Sequence, residues 1–77
     1  MIKVLLFANL QESVGKDQLE LEIEQTTVED LKIELQKIYH LPDLDQVMTA
    51  VNEEYAKNDH FVKSGDIVAF IPPVSGG

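Results

Sequence analysis

Cysteine is absent from the 77 residues. That excludes disulfides, zinc–thiolate and iron–sulfur sites, and any catalytic thiol. Arginine is absent too, and six lysines against fourteen acids leave a net charge of −8. A chain this acidic is repelled by phosphate backbones and anionic headgroups, so neither nucleic acid nor a membrane is expected as a partner. Partners with basic patches suit it better. Long hydrophobic runs are also missing. The longest early one, Val4-Leu5-Leu6-Phe7-Ala8, stops at Asn9, short of a signal-peptide core or a membrane span, and a cytoplasmic location is expected.

What remains is ordinary globular material, with 44% hydrophobic and 26% charged residues. The length allows one core and no second domain. Residues 2–8 alternate as a strand, with Ile2, Val4, Leu6 and Ala8 on one face and Lys3, Leu5 and Phe7 on the other. Asn9 to Asp17 break the pattern and read as a turn or a short helical loop. Leu19 to Glu24 alternate again, three aliphatics inward and three glutamates outward, as a half-buried strand antiparallel to the first.

Thr26-Thr27 mark a helix start, with Thr27 positioned to cap the amide of Asp30 and with Glu29 and Asp30 suited to the positive end of the helix dipole. Val28, Leu31, Leu35 and Ile38 form the expected apolar stripe. Leu41-Pro42 ends the helix, because a residue before proline resists the helical region. Val47 to Val51 reads as a third strand, followed by a turn at Asn52-Glu53 and then Glu54-Tyr55-Ala56. A turn at Ser64-Gly65-Asp66 launches Ile67 to Ile71, whose continuous apolarity suits a strand near the middle of a sheet. The order predicts an α+β fold, a mixed sheet with one main covering helix, of which the ubiquitin-like β-grasp is the best-known small version. Residues 1–71 would form that domain and residues 72–77 an extended tail.

The tail carries the functional signal. No charged residue lies between Ile67 and Gly77, and the chain ends Pro72-Pro73-Val74-Ser75-Gly76-Gly77. The proline pair lacks amide donors and fixes φ, so the ladder stops and the chain leaves as a stiff, extended segment. Val74 and Ser75 continue it without bulk, and Gly76 and Gly77 lack the Cβ that would block a narrow channel. Six extended residues reach roughly 20 Å, enough to carry a terminal carboxylate into another protein. A Gly-Gly end alone also fits a frayed terminus or a linker remnant. The stiff apolar approach and the β-grasp order upstream argue for use.

Taken together, Gly65 to Gly77, the opening Met1 to Ala8 and the segment Ala50-Val51-Asn52 resemble the small, sulfur-carrying subunits of molybdopterin synthase, the MoaD type within the MoaD/ThiS family. The resemblance covers essentially the whole chain, though Tyr39 to Gln46 are not diagnostic. It implies that Gly77 is adenylated and converted to a thiocarboxylate, with Gly76 giving the narrow passage, and that the sulfur goes to cyclic pyranopterin monophosphate to build the molybdopterin dithiolene of the molybdenum cofactor. The implied partners are the large synthase subunit, a ubiquitin-activating-type adenylyltransferase that uses ATP and Mg²⁺, and a sulfur donor protein. The implied assembly is a heterotetramer, two small subunits at opposite ends of a dimer of large ones. This chain would bind no cofactor and supply no catalytic side chain.

Docking is expected through Phe7, Tyr55 and Ile71, forming an apolar patch beside the tail residues Pro72, Pro73, Val74 and Ser75. Other candidate sites are weak. His40 and His60 stand alone without a ligand pattern, and Glu20, Glu22 and Glu24 read as the solvated face of a strand. Three alternatives stay open: a sulfur carrier for thiamine thiazole synthesis, a ubiquitin-like protein modifier, and a non-covalent β-grasp adaptor.

Overall fold

The computed structural model describes residues 1–39, 41, 44 and 47–72. The elements are β1 (Ile2–Leu6), α1 (Ala8–Val14), β2 (Gln18–Leu21), β3 (Gln25–Thr27), α2 (Val28–Tyr39), β4 (Met48–Val51), β5 (Glu54–Tyr55), β6 (Phe61–Lys63) and β7 (Ile67–Ile71). Five of the strands form one sheet in the order β2-β1-β7-β4-β5, and β3 pairs with β6 in a separate two-stranded ribbon. The β1–β7 pair is parallel, and the β1–β2, β4–β7 and β4–β5 pairs are antiparallel. This is the β-grasp arrangement, with the apolar β7 at the centre of a mixed sheet.

One face of that sheet is the core. Ile2, Val4 and Leu6 of β1 and Val68 and Phe70 of β7 join Val28, Leu31 and Leu35 of α2 in a single buried cluster. Alternation along the strands sends every second side chain to that side, and the helix lies over it. Buried Val62 brings the β3–β6 ribbon into the same core.

The start of α2 is as expected. Thr27 Oγ1 accepts the Asp30 amide at 3.1 Å, and Glu29 and Asp30 occupy the first turn. Two further amides that a helix start leaves unpaired are satisfied by a distant loop. Val28 N–H donates to the His60 carbonyl and Glu29 N–H to the Asn58 carbonyl, both at 3.0 Å. Lys32 Nζ donates to Asn58 Oδ1 at 3.0 Å. The loop before β6 therefore clamps the first turns of α2.

Three expectations need correction, and of the two readings of Asn9 to Asp17 the helical one holds. Ile38 is not in the stripe but 49% exposed, while Lys32 is only 6% exposed and Tyr39 packs against the core. At about 100° per residue Ile38 lies on the Leu31 edge of the stripe and Tyr39 on the Lys32 edge, so the last turn of α2 packs through its Lys32 edge. Lys32 is accommodated because its ammonium reaches Asn58 while its alkyl stem stays inside. The first strand stops at Leu6 rather than Ala8, because Ala8 takes a left-handed φ of 52° and turns the chain into α1. Leu10 of that helix is buried, so the segment is a packed helix ended by Gly15 at φ 84°. The second strand ends at Leu21, where the Ile23 amide donates back to the Leu21 carbonyl at 2.9 Å, although Ile23 still packs on the core.

Candidate functional site

Among the described residues, no helix lies over the other face of the five-stranded sheet. Residues of β1, β7 and β4 that alternate away from the core are Lys3 and Leu5, then Ile67, Ala69 and Ile71, then Met48 and Ala50. Register lines them up across strands. Leu5 pairs with Gln18 and with Ala69, Ala69 with Ala50, and Ala50 with Tyr55, so one row crosses all five strands. A second row runs through Glu20, Lys3 and Ile67, its charged pair at the β2 edge in the cross-strand arrangement that favours opposite charges. Small side chains sit at the centre of the first row. Leu5, Ala50, Asn52, Glu53, Ile67 and Ala69 line a shallow, mostly apolar concavity there.

All three of the expected docking residues lie on this face. Phe7 follows β1 in extended backbone, with φ −129° and ψ 154°, and is 45% exposed. The parallel register pairs Leu6 with Phe70, and one residue further brings Phe7 beside Ile71, which is half-buried and pairs with Met48 of β4. Tyr55 is 75% exposed on the far edge strand. It is two strands from Ile71 and one row away, so the structure brings Phe7 and Ile71 together and sets Tyr55 apart from them. Met48, also exposed, takes the place beside Ile71.

Met48 and Ala50 escaped the sequence reading because hydropathy misleads on β4. Thr49 faces inward while the more apolar Met48 faces out, and only strict period-2 counting from Val47 and Val51 assigns the faces. The centre of the face is braced by Asn52. Its backbone N–H donates to the Ile67 carbonyl at 2.8 Å, its Oδ1 accepts the Ile67 amide at 3.0 Å, and its Nδ2 donates to Asp66 Oδ1 at 3.0 Å. One side chain thus ties the β4–β5 turn to the start of β7. Gly65, at φ 97°, makes the turn before it.

At the other end of β7 the chain leaves the sheet after Ile71. Because β1 and β7 are parallel, this exit lies at the same end as Phe7. Pro72 is half-buried and outside the ladder. Pro73, Val74, Ser75, Gly76 and Gly77 lie outside the described residues, as does His40. His60 contributes its backbone to the α2 start while its side chain is exposed. Glu20, Glu22 and Glu24 are all exposed.

Residues 4–77 match the ThiS family. The chain belongs to that family. A relative from Dictyostelium discoideum, named molybdopterin synthase sulfur carrier subunit, is 41% identical over 97% of this chain and 94% of its own. Among solved structures, a protein from Pyrococcus furiosus assigned as molybdopterin converting factor subunit 1 superimposes with a TM-score of 0.80. It is 34% identical, and the match covers 95% of this chain and 97% of that one. The small archaeal modifier protein 1 of Methanosarcina acetivorans superimposes with a TM-score of 0.78 at 27% identity, over 99% and 95% of the two chains. The ThiS family thus spans the open sheet face and the Pro-Pro-Val-Ser-Gly-Gly end alike. Among the described residues, no helix is long and apolar enough to cross a membrane.

Proposed function

We propose that this chain is the sulfur carrier subunit of a molybdopterin synthase and that Gly77 is the carrier. The supporting observation is that the family match runs unbroken from β1 through Gly77, in company with a near full-length relative of that name. A free α-carboxylate, with a pKa of about 3.3–3.7, is ionised at neutral pH and resists nucleophiles. Activation by an adenylyltransferase cures this. A carboxylate oxygen of Gly77 attacks the α-phosphorus of ATP, pyrophosphate leaves, and an acyl-adenylate results. Sulfide-level sulfur, delivered as hydrosulfide by a donor protein, then attacks the carbonyl; the acyl–phosphate bond breaks, AMP leaves and a proton is lost, giving the thiocarboxylate.

In the synthase the open sheet face docks on the large subunit through Phe7, Ile71 and Tyr55. Pro72 and Pro73 stiffen the departing chain, Val74 and Ser75 extend it, and Gly76 lets the terminal carbonyl through a narrow passage. The thiocarboxylate sulfur is transferred to cyclic pyranopterin monophosphate, and two such transfers make the dithiolene. Catalytic side chains belong to the partners.

Intact-protein mass spectrometry tests this after incubation with the activating enzyme, ATP and sulfide. The expected product has one oxygen of Gly77 exchanged for sulfur, and adding large subunit and pterin substrate should return the carboxylate. A chain lacking Gly77 should do neither. No mass gain in the wild type, or dithiolene formation by the shortened chain, would overturn the carrier reading.

The likeness to an archaeal modifier protein favours protein conjugation as a second reading. Trypsin separates the two. Neither lysine nor arginine occurs between Ser64 and Gly77, so conjugation would leave that segment, joined through Gly77, on a target lysine.

A further inference from the structure

The turn between β4 and β5 contains a residue whose backbone is at odds with its side chain. Val51 pairs with Glu54, so the hairpin loop is the two residues Asn52 and Glu53, at φ 52° and 70°. Positive φ at both positions is the type I′ turn, for which Asn-Gly is the preferred pair. Asn52 fits. Glu53 stands where glycine would sit without steric cost, and a left-handed glutamate is disfavoured. Residues held in such conformations persist where the surrounding structure over-determines them, and they cluster at ligand clamps and switch regions. Glu53 borders the concavity on the open face. It is the only ionisable side chain among the described residues that line that concavity, whose other walls are Leu5, Ala50, Asn52, Ile67 and Ala69. It makes no ion pair among the described residues, and the Asn52 bonds to Ile67 and Asp66 fix the turn that carries it.

We propose that this concavity receives one apolar side chain of the docked partner, and that Glu53 selects a partner whose neighbouring residue is a lysine or arginine. The floor is made of Ala50 and Ala69, which leave room above them, and Leu5 and Ile67 are the apolar walls. A carboxylate at the rim is exposed before docking and partly desolvated after it, which strengthens its attraction to a cation and its rejection of an acid. The chain's net charge of −8 adds long-range attraction, and Glu53 adds position. The inference deepens the sulfur-carrier reading, since the partner is the large synthase subunit that this face would dock against.

The test is calorimetric titration of the full chain and its variants into purified large subunit at low and high salt, with thermal midpoints measured in parallel. Glu53→Gln keeps the strained backbone and loses the charge. Its midpoint should be unchanged and its binding about 1.5- to 5-fold weaker, with a smaller salt dependence. Glu53→Lys should weaken binding more than about tenfold. Glu53→Gly should raise the midpoint, because it relieves the turn, and still weaken binding. This opposition of stability and affinity is what a merely tolerated surface glutamate would not produce. Ala69→Leu fills the concavity and should weaken binding more than about tenfold while the domain stays folded. Wild-type affinity in both Glu53→Gln and Glu53→Lys, or in Ala69→Leu, would overturn the inference while leaving docking intact. Failure of the wild type to bind the large subunit would overturn the docking and this inference with it.

Discussion

Asp66 closes the turn ahead of β7 by accepting the backbone N–H of Lys63 on its Oδ2 at 3.0 Å. That bond holds the carboxyl below its ordinary pKa of 3.8, with the Asn52 side-chain amide as the next cause and slight burial opposing both. The folded state therefore favours the ionised form more than the unfolded state does. The resulting stabilisation is complete above the unfolded value and is lost as pH falls through the folded one. Asp66→Asn should lower the thermal midpoint at pH 7, and the gap from wild type should close as pH drops below about 4. Parallel melts between pH 7 and pH 2 measure it. A gap that stays constant over that range would show that ionisation of Asp66 contributes nothing.

Thr49 gives the second prediction. Its side chain is 4% exposed in the core layer, and its Oγ1 finds no hydrogen-bond partner among the described residues. A buried hydroxyl without a partner loses its hydration and gains nothing in exchange. Thr49→Val keeps the shape and removes the polar atom, so it should stabilise the domain by about 1 kcal/mol in chemical denaturation. Destabilisation by that substitution would mean the hydroxyl is satisfied after all.

The third prediction separates two residues that the sequence treats alike. Leu35 is fully buried while Ile38 is half exposed. Leu35→Ala should cost about 2–5 kcal/mol, and Ile38→Ala should stay within about 0.5 kcal/mol. Urea unfolding of both variants decides it. Equal losses would place Ile38 back in the core.

That pair also marks the limit of what patterning reveals. Hydrophobic periodicity found β1, the inward residues of β2, the start of α2 and the whole of β7, because each has a local signal: alternation, a capping threonine, an uncharged run. It could not find Lys32, since a charged residue enters a core only where a distant acceptor waits, and Asn58 lies 26 residues away. The β3–β6 ribbon was hidden for the same reason. Gln25-Thr26-Thr27 is polar, and its pairing with Phe61–Lys63 is set by tertiary contact. On the functional side, Phe7 and Ile71 were legible as apolar residues on matching faces of two strands. The Ala50–Ala69 floor was not, because a small residue announces a gap only once its neighbours across the sheet are known.

The docking face gives the last prediction. Phe7 is exposed and Ile71 half-buried on the side away from the core, so an arginine at either place can reach water in the free domain. Docked against an apolar surface it cannot. A charge buried without a partner costs about 3–5 kcal/mol, which corresponds to a loss of affinity of more than about 100-fold. Phe7→Arg and Ile71→Arg should therefore melt close to wild type and fail to bind the large subunit. Tyr55→Ala, at the edge of the same face, should weaken binding without abolishing it. Ile38→Arg is the control. It places the same charge on an exposed apolar residue of α2, on the opposite layer, and should bind as wild type does. Loss of binding in Ile38→Arg, or its retention in both Phe7→Arg and Ile71→Arg, would move the interface from the open sheet face to the helical one.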